Sequence, residues 1–135
     1  ERVQSSALLR ERVTLAGAVP HAEMPNYYSA ADIFVSGSHS EGSGYALIES
    51  LAAGVVPVVT DIAPFKVIAG PCGARWRPGD AGGFSAALLE VSGRNAAAGR
   101  DQVQHHFSQA LHWDAIAHQT LAAYRELGQR RRATA

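Results

Sequence analysis

The sequence alternates short apolar runs rich in β-branched residues with longer segments of helical period, and this restricts the chain to β-α units that build a parallel sheet. Four strands are expected. Val13-Thr14-Leu15-Ala16 ends at Gly17, Ile33-Phe34-Val35 at Ser36-Gly37, Val55 to Thr60 is the longest run, and Arg75-Trp76-Arg77 stops at Pro78-Gly79. Each stop is a turn signal. Pro57 removes one ladder donor from the third run, so that strand is expected to begin after the proline. Pro25 to Ala31, with proline in a first turn, and Tyr45 to Ala53, closed by Gly54, read as short crossover helices. After Asp80, an N-cap residue, the chain reads helical to its end. Phe84, Ala87, Leu88 and Val91 form one apolar stripe there, and Trp113, Ile116, Thr120, Leu121, Tyr124 and Leu127 form another.

The 135 residues suffice for one domain that buries about two thirds of its unfolded surface. An apolar share of 47% against 18% charged residues is that of an ordered globular chain. Twelve basic residues balance twelve acidic ones, so no overall field attracts nucleic acid, and DNA and RNA are not expected as partners. Cys72 stands alone and no apolar stretch reaches the roughly 18 residues of a membrane span, which makes the cytoplasm the expected compartment. Arg130-Arg131-Arg132 reads as a solvated basic tail over 128–135, with weak contact to the inner face of a membrane as its other reading.

The segment with most chemistry runs from Ser36 to Glu49, out of a strand end, through small residues and into a helix. Glycines let a backbone approach a ligand, and a helix's first turn presents unpaired amides and the positive end of its dipole to a phosphate. The competing reading is a loop that is glycine-rich only because the turn is tight. Glu41 stands in the loop and Glu49 about a turn and a half into the helix, so both can face the crevice at the carboxyl ends of the strands. A carboxylate accepts hydrogen bonds from paired sugar hydroxyls. Taken singly, Glu41 also suits a solvated loop acid and Glu49 an ordinary exposed helix residue.

Ala30-Ala31-Asp32-Ile33-Phe34-Val35, then Ser38, Glu41-Gly42-Ser43-Gly44, Glu49, Ala53-Gly54 and Pro57-Val58-Val59 together resemble the C-terminal domain of retaining GT-B-type glycosyltransferases of the family-4 kind. Glu41 and Glu49, with seven residues between them, match that family's two-glutamate motif. Gly73, Pro78-Gly79-Asp80 and the late Trp113-to-Tyr124 helix resemble its closing elements. The resemblance implies a Rossmann-like parallel sheet with flanking helices, one half of a two-domain GT-B fold, with residues 1–12 a lead-in helix and 13–127 the donor-binding domain. It implies transfer of a sugar from a nucleotide diphosphate donor with retention of configuration and without a metal ion or other cofactor. By position, Glu41 would be the catalytic-site acid touching the donor sugar, and Glu49 would hold the ribose. The amides around Gly42, Ser43, Gly44 and Tyr45 would meet the diphosphate, and Ala18-Val19-Pro20 would line the base pocket.

The sequence departs from the family in two respects. Relatives carry an upstream arginine and lysine that clamp the diphosphate, and this sequence opens downstream of them. Its only lysine, Lys66, falls in an expected loop where relatives often carry an acid, and is expected to face solvent. In the family's strand order, two strands preceding Val13 lie between the strands at Val13 and Ile33, so the sheet lacks its first strands. An N-terminal domain or partner chain is therefore expected, as is self-association through the open sheet edge. Two rival readings stay open: a sugar-nucleotide epimerase half, for which no further acid/base residues assemble, and a non-catalytic nucleotide-sugar-binding or assembly subunit.

Six histidines invite a metal site, but no pair is four apart and Cys72 has no second sulfur, so no metal is expected. His39 lies within reach of a donor or acceptor, or has no role. His105, His106, His112 and His118 are expected on the surface, and Trp76 and Trp113 in packing. Ser43 has no nucleophile-elbow context.

Overall fold

The computed structural model describes residues 5–133, with side chains to residue 130. The start of the lead-in helix and the end of the basic tail lie outside the described residues. Ala7–Arg12 (α1) follows Ser6, whose hydroxyl accepts a bond from Leu9 N. The helical turn His21–Glu23 leads into Met24–Ser29 (α2), and Pro25 occupies the first turn, where its missing N–H costs nothing. Ile33–Ser36 (β1), Tyr45–Ala52 (α3), Val56–Thr60 (β2), Ala63–Ala69 (α4) and Ala74–Trp76 (β3) then alternate. Ala81–Ser92 (α5), Ala96–His106 (α6), a π-helical turn Phe107–Leu111 and Trp113–Ala133 (α7) complete the chain.

The three strands pair in parallel in the order β1-β2-β3, with Ile33 opposite Val56 and Val58 opposite Ala74. Pro57 sits inside β2, not before it as the sequence suggests. Val56 N–H donates to Asp32 O on the β1 side, so the nitrogen of Pro57 points to the β3 side. The β3 ladder begins only at Val58, so no ladder donor is lost. Gly73 enters β3 with φ +66°, and a Cβ there would fall on the Pro57 carbonyl oxygen. Only glycine allows that approach.

Alternate residues of β2 divide the core. Val59 packs with Leu47 and Leu51 of α3, Phe65 and Ala69 of α4, Cys72, and Val103 of α6. Val58 packs on the opposite face with Trp76 and with Ala87 and Val91 of α5, flanked by Phe84 and Leu88. The expected stripe of α5 is therefore the core stripe, and Asp80 caps the helix by accepting from Gly83 N at 2.9 Å. This is a Rossmann-like half domain with helices on both sheet faces.

Four expectations are corrected. Val13 to Ala16 is not a strand: it runs irregularly, with Val13 38% and Leu15 73% exposed, because no described strand lies beside it to complete a ladder. Lys66 lies in α4 and not in a loop; the short Ala63-to-Ala69 helix has Pro64 in its first turn. His106 is not a freely solvated surface residue but half-buried, since its Nε2 meets Ile68 O at 2.9 Å and its ring covers Gly70. Trp113 is 80% exposed and Tyr124 70%, so Trp113 is not a core residue of this domain, and packing against another domain is the part of the expectation that stands open. The helix α7 also runs unbroken past residue 127, so the basic tail begins as helix.

Candidate functional site at the β1–α3 loop

The carboxyl ends of β1 and β2 anchor the loop 37–44. Thr60, buried at the end of β2, donates its hydroxyl to the carbonyl of Ser38, and Ser36 Oγ and Ser38 Oγ lie 3.3 Å apart. The loop closes at Gly44, buried and left-handed at φ +64°, in the N-cap position of α3. A Cβ on Gly44 would lie 2.5 Å from Ile68 Cδ1 and 3.8 Å from Phe65 Cε1, so α4 packs directly beneath the turn. Because glycine has no capping side chain, the N-cap position offers no side-chain acceptor to the first-turn amides of α3. Gly42, Ser43 and Tyr45 are exposed around this turn, and His39 is exposed before it.

Glu41 is half-buried and accepts from its neighbour's amide, Gly42 N, at 3.1 Å. Glu49, one and a half turns into α3, is held at both oxygens. His21 Nε2 lies 3.1 Å from Oε1, and Tyr28 OH donates to Oε2 at 3.1 Å. Tyr28 is buried at 8% exposure, its ring tilted against Phe34 with centroids 6.4 Å apart. Burial first, and then the bond to Glu49, raise the Tyr28 pKa above its ordinary 10.0, so the phenol stays a donor. Glu49 therefore differs from an ordinary exposed helix acid. It borders a cavity of about 390 Å³ whose walls include Met24, Pro25 and Ala53. Ala18 and Pro20 are exposed and Val19 half-buried in the segment that leads into His21.

Lys66 is exposed, as expected, and also paired. Its Nζ pairs with Asp61 Oδ2 at 3.2 Å, and Arg75 Nε stands 3.6 Å from Oδ1 of the same carboxylate. A cavity of about 380 Å³ opens at the other end of the sheet, beside Asp32, Ile33, Val56, Arg94 and Arg100. There Arg94 is bonded to Gly73 O and Glu90, and Arg100 to Ala53 O. Open α/β sheets bind ligands at the carboxyl ends of their strands, and the loop at that end places the uncapped turn of α3 beside Glu41. Among the described residues no three His, Cys, Asp or Glu side chains gather as a metal site, and no helix is long and apolar enough to cross a membrane.

Sequence reasoning singled out Glu41 and Glu49 but not His21 and Tyr28, which the structure brings to the Glu49 carboxylate. The available signal was Tyr28 itself, since a tyrosine buried on a short helix needs a partner for its hydroxyl.

A sequence model described as Glycosyl transferases group 1 matches residues 1–93. The O-antigen chain mannosyltransferase B of Escherichia coli is 30% identical over 115 residues, covering 82% of this chain and 29% of that protein. The D-inositol 3-phosphate glycosyltransferase of Segniliparus rotundus is 32% identical over 120 residues, covering 85% of this chain and 26% of that protein. The structure of sucrose-phosphate synthase from Thermosynechococcus elongatus superposes with a TM-score of 0.70 at 28% identity, over 91% of this chain and 32% of that one. The chain thus spans under a third of the length of each of these relatives.

Proposed function

Because this chain belongs to the group 1 glycosyl transferases, we propose that it forms the donor-binding half of a retaining GT-B enzyme, which takes a sugar from a nucleotide diphosphate sugar without a metal ion. The observation that carries this reading is the joint between β1 and α3. A buried left-handed glycine ends the loop with no side-chain cap, so the first-turn amides of α3 stay available to a diphosphate at the carboxyl end of the sheet. In this reading the amides around Gly42, Ser43, Gly44 and Tyr45 stabilise the charge that grows on the leaving diphosphate as the glycosidic bond breaks. Glu41 touches the donor sugar near the reacting carbon. Glu49 accepts from the ribose hydroxyls, and Ala18-Val19-Pro20, next in sequence to His21, lines the base pocket. The acceptor is held by an N-terminal domain or a partner chain.

The test is transfer by the full-length enzyme from uridine and guanosine diphosphate sugars, with the product's anomeric configuration read by NMR and the rate measured with and without a chelator. Retained configuration and a chelator-insensitive rate are the expected result. Inversion removes the retaining assignment, chelator-sensitive transfer removes the metal-free one, and no transfer from any such donor removes the reading as a whole.

A further inference from the structure

We infer that Tyr28 is the positioning residue of this site: it fixes the Glu49 carboxylate for a ribose diol, while His21 holds the same carboxylate only until the ligand arrives. The inference rests on the reading of Glu49 as the ribose-binding acid and adds how that acid is aimed. Each carboxylate oxygen carries two acceptor positions. Tyr28 takes one on Oε2 and His21 one on Oε1, which leaves one on each oxygen for two adjacent hydroxyls. The two partners differ in how firmly they are held.

Tyr28 is 8% exposed, sits on α2 and is wedged against Phe34 of β1, so its hydroxyl has one direction available. Its phenol remains protonated because burial and the adjacent carboxylate both oppose ionisation. The His21 side chain is 87% exposed, at the rim of the cavity that Glu49 borders. A contact made by so exposed a ring is worth little, and its loss is readily offset by a ligand hydroxyl. Tyr28 therefore acts through Glu49, and His21 is the exchangeable partner.

The experiment measures, by calorimetry on the full-length enzyme, binding of UDP and GDP beside their 2′,3′-dideoxy counterparts, which lack both hydroxyls. Tyr28→Phe keeps the ring and removes one hydrogen bond. It is expected to weaken the ribonucleotide about threefold to tenfold, to leave the dideoxy form unchanged, and to add nothing when combined with Glu49→Ala. His21→Ala is expected to bind the ribonucleotide as tightly as the parent or more so. Because the ribose contact is uniform between ground and transition states, the Tyr28→Phe effect belongs in KM and not kcat. Equal loss for both nucleotide forms makes Tyr28 a packing residue and overturns the inference, as does no loss at all. A loss in His21→Ala matching that in Tyr28→Phe overturns the division between the two partners. If Glu49→Ala itself leaves the preference for ribose unchanged, the ribose reading beneath the inference is what fails.

Discussion

Gly42 N–H donates to Glu41 Oε1 at 3.1 Å, so two groups assigned to different parts of one donor are each other's partner in its absence. The pairing keeps the loop carboxylate close to the amides that a diphosphate would use. In the proposed reading, donor entry would exchange one charge-assisted hydrogen bond for others instead of creating all of them anew.

The two glutamates should separate in their effects. Glu49→Ala removes bonds to a ribose bound alike in ground and transition states, a loss of roughly 1.5 to 3 kcal/mol, or about ten- to a hundred-fold in affinity for the bare nucleotide diphosphate. Glu41→Ala frees Gly42 N–H and leaves product affinity nearly unchanged, while turnover falls, since its sugar contact strengthens as the ring gains positive charge. Calorimetry beside steady-state kinetics checks both. Equal weakening of the bare nucleotide by the two variants would contradict the assignment.

Two glycines should differ in what an added methyl costs. At Gly44 the obstacle is the tip of a flexible isoleucine, so Gly44→Ala should lose about 1 to 2 kcal/mol, mostly from the left-handed backbone. At Gly73 the obstacle is the Pro57 carbonyl, which is backbone, and the left-handed φ adds to it, so the loss should be about 3 kcal/mol or more. Urea unfolding midpoints of the two variants order them, and a Gly44 variant less stable than the Gly73 one would show the loop turn to be the tighter joint.

Cys72 is 1% exposed and its thiol pKa lies above the ordinary 9.0 because burial disfavours the thiolate. Below that value both folded and unfolded thiols are neutral and no penalty arises. As pH rises through it the unfolded chain releases its proton first, so stability falls on the alkaline side. Tyr28, raised from 10.0, adds to the same trend at higher pH. Stability measured from pH 8 to 10.5 should decline less steeply in Cys72→Ala than in the parent. Alkylation of the native thiol should be slow until denaturant opens the core.

The edge of β1 away from β2 is unpaired among the described residues, and Val35 on that strand is 45% exposed. The isolated 135-residue chain should therefore self-associate with rising concentration. Sedimentation velocity reads this directly, and a monomer that persists at high concentration would mean that the edge is protected.

The units β1-α3-β2 and β3-α5 were legible because both depend on local signals: β-branched runs, Gly54 after a helix, and Asp80 before one. Glu41 and Glu49 were singled out by a resemblance to a two-glutamate motif, since their spacing alone also suits a solvated loop acid and an exposed helix acid. The rest depended on neighbours distant in sequence. Val13 to Ala16 has the composition of a strand, but a strand exists only when another lies beside it. Pro57 reads as an interruption until the start of β3, seventeen positions later, determines which side of β2 needs no donor. His106 is half-buried against Gly70 and Ile68, from a helix whose own pattern reads as solvated. Tyr28 and His21 meet Glu49 across 21 and 28 residues, a relation that no local window contains.

The last helix has a mechanical meaning. Val103, Phe107 and Leu111 root the preceding segment in the core, but every residue from Ile116 to Arg130 is exposed. The 21 residues of α7 extend about 30 Å from that root. With the π-helical turn and the break at His112 at its base, a tilt of about 10° there would move the far end by about 5 Å. The same geometry that leaves Phe107 in its packing would carry Tyr124 and Leu127 through most of that distance.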